Sequence, residues 1–166
     1  LVSGLTSPYP DTIRPALQIV GVAEGVRRAC GCYMVVAKEG VKFFADTTVN
    51  IDPDAETLAE VAVLTADLVR ELGIEPRLAM LSFSNFGDAP HPHQRKVSEA
   101  TARVKRLRPD LQVEGEMQAD VALLESARGP YPFASLEGAA NVLIFPNLSA
   151  GNIAYKLLSA MGSEVI

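Results

Sequence analysis

A chain of 166 residues, 48% hydrophobic and 21% charged, is long enough for one domain with a sizeable core and too apolar to be a disordered tail. Its formal net charge of −5, without a long basic cluster, argues against a broad nucleic-acid-binding surface. No apolar run reaches the length of a membrane span, and no signal peptide is visible. With no Trp and few aromatics, packing must rest on Ala, Val, Leu and Ile, as in α/β proteins with buried parallel strands. Residues 3–10, rich in Ser, Thr, Gly and Pro, read as a loop. Asp11 or Thr12 is expected to cap a short helix through Val20, with Pro15 in its first turn. Residues 32–37 read as a buried strand and 41–46 as its hairpin partner across Lys38-Glu39-Gly40.

Cys30 and Cys32 stand one residue apart, too close for an unstrained disulfide and a poor zinc signal alone. They read as reduced strand residues of a cytoplasmic protein. Asp52-Pro53 signals a helix start, and Leu58, Val61, Ala62, Thr65, Leu68, Val69 and Leu72 recur at helical spacing until Gly73. A strand follows over 78–83, then an irregular Pro-His-Pro-His connection and a helix from about Gln94 to Leu107. Residues 111–114 read as a short strand, Gly115-Glu116 as a turn, 117–124 as a helix and 128–135 as a Pro- and aromatic-containing loop. Residues 141–147 form another buried strand ended by Pro146, 147–152 a polar loop, and Ile153 begins the last helix. Strands alternating with helices predict a three-layer α/β/α, Rossmann-like domain, its sheet mostly parallel with an antiparallel edge hairpin. The chain opens without Met and closes at Glu164-Val165-Ile166 on the approach to a strand. Residues 1–166 are therefore expected to be one domain from a longer polypeptide, truncated at both ends.

Two polar loops follow two apolar strands. If those strands are parallel neighbours, Ser82, Ser84, Asn85, Asn147, Ser149 and Asn152 share one rim of the sheet, with Lys156 one turn inside a helix. Ligands of open α/β sheets bind just past the carboxyl ends of strands, and such donors suit a phosphate or an acyl oxygen. The competing reading makes Ser84-Asn85-Phe86-Gly87 only a strand-to-helix turn. His91 and His93 form an H-x-H pair without further visible ligands, so no metal site is expected there. Phe86 and Tyr131 either stack on an adenine or pack on the core, the second being favoured. Ser82 and Ser84 lack visible His and Asp partners for a hydrolase triad.

Several segments in order resemble the phosphotransacetylase (phosphate acetyl/butyryltransferase) family: Val2-Ser3-Gly4 with Thr12 to Ile19, Phe44-Ala45-Asp46 to Asp52-Pro53, Ala79 to Ser84, Gly115 with Gln118 and Asp120, and Phe145-Pro146-Asn147 with Gly151 to Lys156. Within that family the Asn85-Phe86-Gly87 loop, the His-Pro-His connection and Tyr131-Pro132-Phe133 most resemble the C-terminal domain of bacterial NADP-dependent malic enzymes. The resemblance implies a regulatory, homo-oligomer-forming domain that binds acetyl-CoA and carries no catalytic residue of its own. Oxidative decarboxylation of malate to pyruvate, with NADP and Mg or Mn, would belong to a part outside this sequence. It also implies ligand contacts from Ser3, Thr6, Arg14, Ser82, Ser84, Asn85, Asn147, Asn152, Tyr155 and Lys156; for Arg14 a plain surface position remains open. A working phosphate acetyltransferase, interconverting acetyl-CoA and acetyl phosphate, is the alternative the same resemblance carries.

Overall fold

In the computed structural model, apolar residues alternate between two faces along each central strand, and that alternation builds two cores. Residue 6 and residues 8–37, 40–162 and 164–165 are described. The strands are β1 (Cys32–Ala37), β2 (Gly40–Ala45), β3 (Arg77–Leu81), β4 (Gln112–Met117), β5 (Val142–Ile144) and β6 (Glu164–Val165). They form a six-stranded sheet in the order β4-β3-β5-β2-β1-β6. β5 runs parallel to both β2 and β3, and β3 parallel to β4; β1 is antiparallel to β2 and β6. The helices are α1 (Tyr9–Ile19), α2 (Ala55–Glu71), α3 (Pro92–Leu107), α4 (Ala119–Leu123) and α5 (Leu148–Ala160), with a 3-10 turn at Glu125–Arg128.

Phe43, Ala45, Leu78, Met80, Val142 and Ile144 point to one face and are covered by α2 and α3. Phe44, Ala79, Leu81 and Leu143 point to the other, against α4, α5 and the loop carrying Tyr131. This is the predicted α/β/α layering, with the hairpin on the antiparallel side of the sheet.

Several boundaries differ from the sequence reading. α1 starts at Tyr9 behind Pro8, so Pro10 rather than Pro15 sits in the first turn. Pro15 lies inside this helix, where it removes one intrahelical N–H, and the helix buries no residue. α2 is capped by Asp54, not Asp52: its carboxylate accepts from the Thr57 N–H at 2.8 Å. That bond holds the Asp54 carboxyl below the ordinary aspartate range. Leu68 and Leu72 of the predicted apolar stripe are exposed, their turns being covered from the Thr65, Ala66 and Val69 side. α3 begins at Pro92, because the His91 ring caps it. β4 runs through Gly115-Glu116 instead of turning there, with a register shift opposite Met80 and Leu81. α4 spans only Ala119–Leu123 of the expected 117–124. α5 begins five residues before Ile153, since Asn147 accepts from the Ala150 N–H at 2.9 Å and caps it. Cys30 and Cys32 are free and half-buried. Burial, followed by nearby negative charge, pushes their thiols up to about 11 and about 12.

Asp54→Ala is expected to cost about 1 kcal/mol of stability, the usual worth of an N-cap. Because the folded state lowers the Asp54 pKa, its contribution exists above the ordinary aspartate range and fades as the pH falls through the folded value. Urea unfolding of both proteins at neutral and strongly acidic pH checks this: the gap should be full at the first and smaller at the second, where the neutral carboxyl accepts without its charge.

Candidate functional site

The carboxyl ends of β2, β3, β4 and β5 share one rim, because all four run the same way. Each is followed by a polar segment with a different internal brace. After β2, Asp46 is 2% exposed. Its Oδ1 accepts from the N–H groups of Gly31, Thr48 and Val49 at 3.0, 2.9 and 3.0 Å. Its Oδ2 accepts from the N–H and the side-chain amide of Asn50 at 2.8 and 2.5 Å. One carboxylate thus folds the Thr47–Asn50 loop around itself and ties it to the approach of β1.

After β3 the chain turns through Phe86 at φ 48° and Gly87 at φ 94°. The buried Ser84 hydroxyl accepts from the Ala89 N–H at 3.0 Å, and the Asn85 side-chain oxygen from the Gln118 N–H at 2.8 Å. Beneath them Glu116, 1% exposed, accepts from the Gly87 N–H at 2.6 Å and from the Gln94 side chain at 2.8 Å. Ser84 and Asn85 therefore each spend a side-chain oxygen on bracing the loop, the first within it and the second against the end of β4. Phe86 packs against Tyr131 and Phe133, ring centroids 5.0 Å away in both cases.

After β5, Pro146 and Asn147 lead directly into α5. The N-terminal end of this helix divides the rim into two clefts. The first, about 330 Å³, lies between the ends of β3 and β5. Leu81, Phe83, Phe145 and Ala150 give it apolar walls; Ser82, Asn147, His93 and Lys96 give it polar groups. The second, about 260 Å³, is lined by Thr47, Thr48, Asn152, Lys156 and three tyrosines, Tyr9, Tyr33 and Tyr155. The Tyr33 and Tyr155 rings lie 4.3 Å apart. Burial, then a hydrogen bond with Tyr155, pushes the Tyr33 hydroxyl up to about 12. Lys156 Nζ lies 5.3 Å from the Tyr155 ring centroid. Tyr9 donates its hydroxyl to Thr48 Oγ1 at 3.0 Å.

Of the residues expected at a ligand site, Ser82 and Asn147 line the first cleft, and Asn152, Tyr155 and Lys156 the second. Asn147 is partly committed, since its side chain caps α5. Arg14 and Thr6 are exposed and line neither cleft, and Ser3 lies outside the described residues. His93 and Lys96 escaped the sequence reading: one fell in the irregular connection and the other on the expected helix from about Gln94, with no ligand role assigned to either. With Pro92 as the first helical residue, their spacing of three puts both on one face of α3. Among the described residues, no group of three or more His, Cys, Asp or Glu could hold a metal ion.

These features define a three-layer α/β/α domain with a divided, polar rim at the carboxyl ends of its parallel strands. The phosphate acetyl/butaryl transferase family matches residues 1–166, and the chain belongs to that family. It is 42% identical over 164 residues to the phosphate acetyltransferase of Bacillus subtilis (strain 168), covering 98% of this chain and 51% of that protein. It is 39% identical over 165 residues to the NADP-dependent malic enzyme of Escherichia coli (strain K12), covering 99% of this chain and 22% of that protein. The crystal structure of a phosphotransacetylase from Streptococcus pyogenes superimposes with a TM-score of 0.90 at 40% identity, covering 98% of this chain and 51% of that one. The chain thus spans about half the length of these phosphotransacetylases and under a quarter of the malic enzyme.

Proposed function

We propose that this is the acetyl-CoA-binding, regulatory and oligomerising domain of a cytoplasmic NADP-dependent malic enzyme. The observation carrying the reading is the divided rim. An apolar cleft with one ammonium adjoins a hydroxyl-rich cleft with another, on either side of the N-terminal end of α5. A ligand with an apolar thioester arm and anionic groups has a complementary character. The similarity to the Escherichia coli malic enzyme, together with the Asn85-Phe86-Gly87 loop, supports the regulatory assignment. The parent reaction, oxidative decarboxylation of malate to pyruvate with NADP and Mg or Mn, would belong to residues outside this sequence. Acetyl-CoA would favour one quaternary arrangement and so shift malic activity elsewhere in the polypeptide, a coupling of typically about 1–3 kcal/mol. Exposed Ile153 and Leu157 of α5 and Met161 just past its end recur every four residues, and a second copy of the chain is the partner we assign to them. We assign no nucleic-acid partner and no membrane partner; among the described residues, no helix is long and apolar enough to cross a membrane.

The second reading is an active phosphate acetyltransferase, favoured by the 42% identity to the Bacillus subtilis enzyme. The two separate in one experiment on the full polypeptide carrying this sequence. Malate-dependent NADP reduction is measured with and without acetyl-CoA, beside an acetyl-phosphate-forming assay. Malic activity that falls with acetyl-CoA, without acetyl phosphate formation, is the expected result. Acetyl phosphate formation without malic activity overturns it in favour of the transferase.

A further inference from the structure

Lys96 is the cation of the first cleft, and its charge is already engaged. Its side chain is 17% exposed. From α3 it donates to Asp52 Oδ1 at 2.8 Å and to the Pro146 carbonyl at 3.0 Å. The two acceptors differ in kind. The Pro146 carbonyl belongs to the wall of the cleft, immediately after β5. The Asp52 side chain is 72% exposed on the loop after β2, and among the described residues its carboxylate bonds to Lys96 alone. An ammonium carries three N–H donors, so one remains beyond these two bonds. The walls around it are largely apolar, where a charge interaction is screened less than at the open surface. An exposed ion pair such as that with Asp52 contributes little stability, so exchanging it for a better-shielded partner is easy.

We propose that Asp52 is a tethered competitor for Lys96: it neutralises the ammonium while the first cleft is empty, and an anionic group of the ligand displaces it on binding. The inference rests on the acyl-CoA reading of the rim and adds a brake to it. The anion is a phosphate oxygen, seated by Lys96 with the Ser82 hydroxyl and the His93 ring beside it. Asp52, released, swings into solvent, and the loop that Asp46 organises next to it loses its tie to α3. Occupancy of the cleft is thereby felt at Asp54, the cap of α2, two residues further along the chain.

The test is calorimetric titration of the full polypeptide with acetyl-CoA and, separately, with inorganic phosphate. The proteins are wild type, Asp52→Asn, Lys96→Gln and the double variant. Asp52→Asn should bind about two- to fivefold tighter, the range an exposed ion pair allows. Lys96→Gln, which keeps a donor for Pro146 but loses the charge, should bind about tenfold weaker or worse. The double variant should match Lys96→Gln, because Asp52 acts only through Lys96. Circular dichroism establishes that each variant is folded, and Asp52→Ser stands in if the asparagine variant is not. Unchanged affinity in Asp52→Asn, with wild-type binding intact, overturns the competitor and leaves the acyl-CoA reading standing. No binding of either probe to any folded protein, Asp52→Asn included, overturns both. A phosphate response without an acetyl-CoA response keeps the competitor and removes the acyl-CoA reading.

Discussion

Replacing Asp46 with asparagine is expected to lower stability by about 3–6 kcal/mol. The estimate is two charge-assisted hydrogen bonds at their usual worth of roughly 1.5–3 kcal/mol each. Asparagine can keep one oxygen where Oδ1 accepts from Gly31, Thr48 and Val49. Its amide nitrogen then faces the N–H and side-chain amide of Asn50, donor against donor. Flipping the amide is worse, because three donors rather than two lose their acceptor. The site is buried, so water cannot take over the bonds. Urea unfolding measures the loss. A change under about 1 kcal/mol would mean that the loop finds another fold and that Asp46 is not its organiser. Because Thr47 and Thr48 line the second cleft, ligand binding should weaken even where the variant remains folded.

Gly151→Ala should destabilise by about 1–3 kcal/mol, the usual cost of overpacking. On an open helix surface the same change would stabilise by roughly 1 kcal/mol. The sign is reversed because α5 crosses the Asp46 loop at contact distance. A Cβ on Gly151 would lie 2.7 Å from the Asp46 carbonyl oxygen and 3.3 Å from both the Phe145 ring and the Thr47 methyl. Backbone cannot swing aside as a side-chain tip can, so α5 must lift. That lift would widen both clefts, since the start of α5 forms their shared wall. Thermal unfolding gives the sign directly, and a rise in Tm would show that α5 has room to move.

Local rules made the layers legible. The alternating faces of β2, β3 and β5 and the helical stripe of α2 are short-range patterns, and the structure keeps them except at Leu68 and Leu72 of the stripe. What escaped depends on partners distant in the chain. Asp52-Pro53 carries a good helix-start signal, yet Asp54 takes the cap while Asp52 reaches Lys96, 44 residues on. Ser84 and Asn85 look ligand-facing because they are polar loop residues. Their groups are consumed by Ala89 and by Gln118, and the second contact requires β4 to run alongside. Asn147 reads as loop because Ser149, Gly151 and Asn152 follow it, all weak helix formers. Its side chain nonetheless caps α5, and Gly151 is there for the crossing over Asp46. Among the described candidates, five of the expected ligand residues do reach the clefts. Lys96 and His93 could be placed there only once α3 was known to begin at Pro92.

The cap of α3 also settles a proton. The backbone N–H of His93 lies 3.2 Å from His91 Nδ1, and a backbone N–H can only donate. Nδ1 must therefore present its lone pair, and the neutral His91 ring carries its hydrogen on Nε2. The tautomer is dictated by helix geometry rather than by any ligand. The ring also packs against Phe83, centroids 5.9 Å apart, and in this tautomer it carries one N–H donor and no free acceptor. A doubly protonated ring has no lone pair to give and must release the helix end, which makes His91 nitrogen chemical shifts a direct reporter of whether α3 is capped.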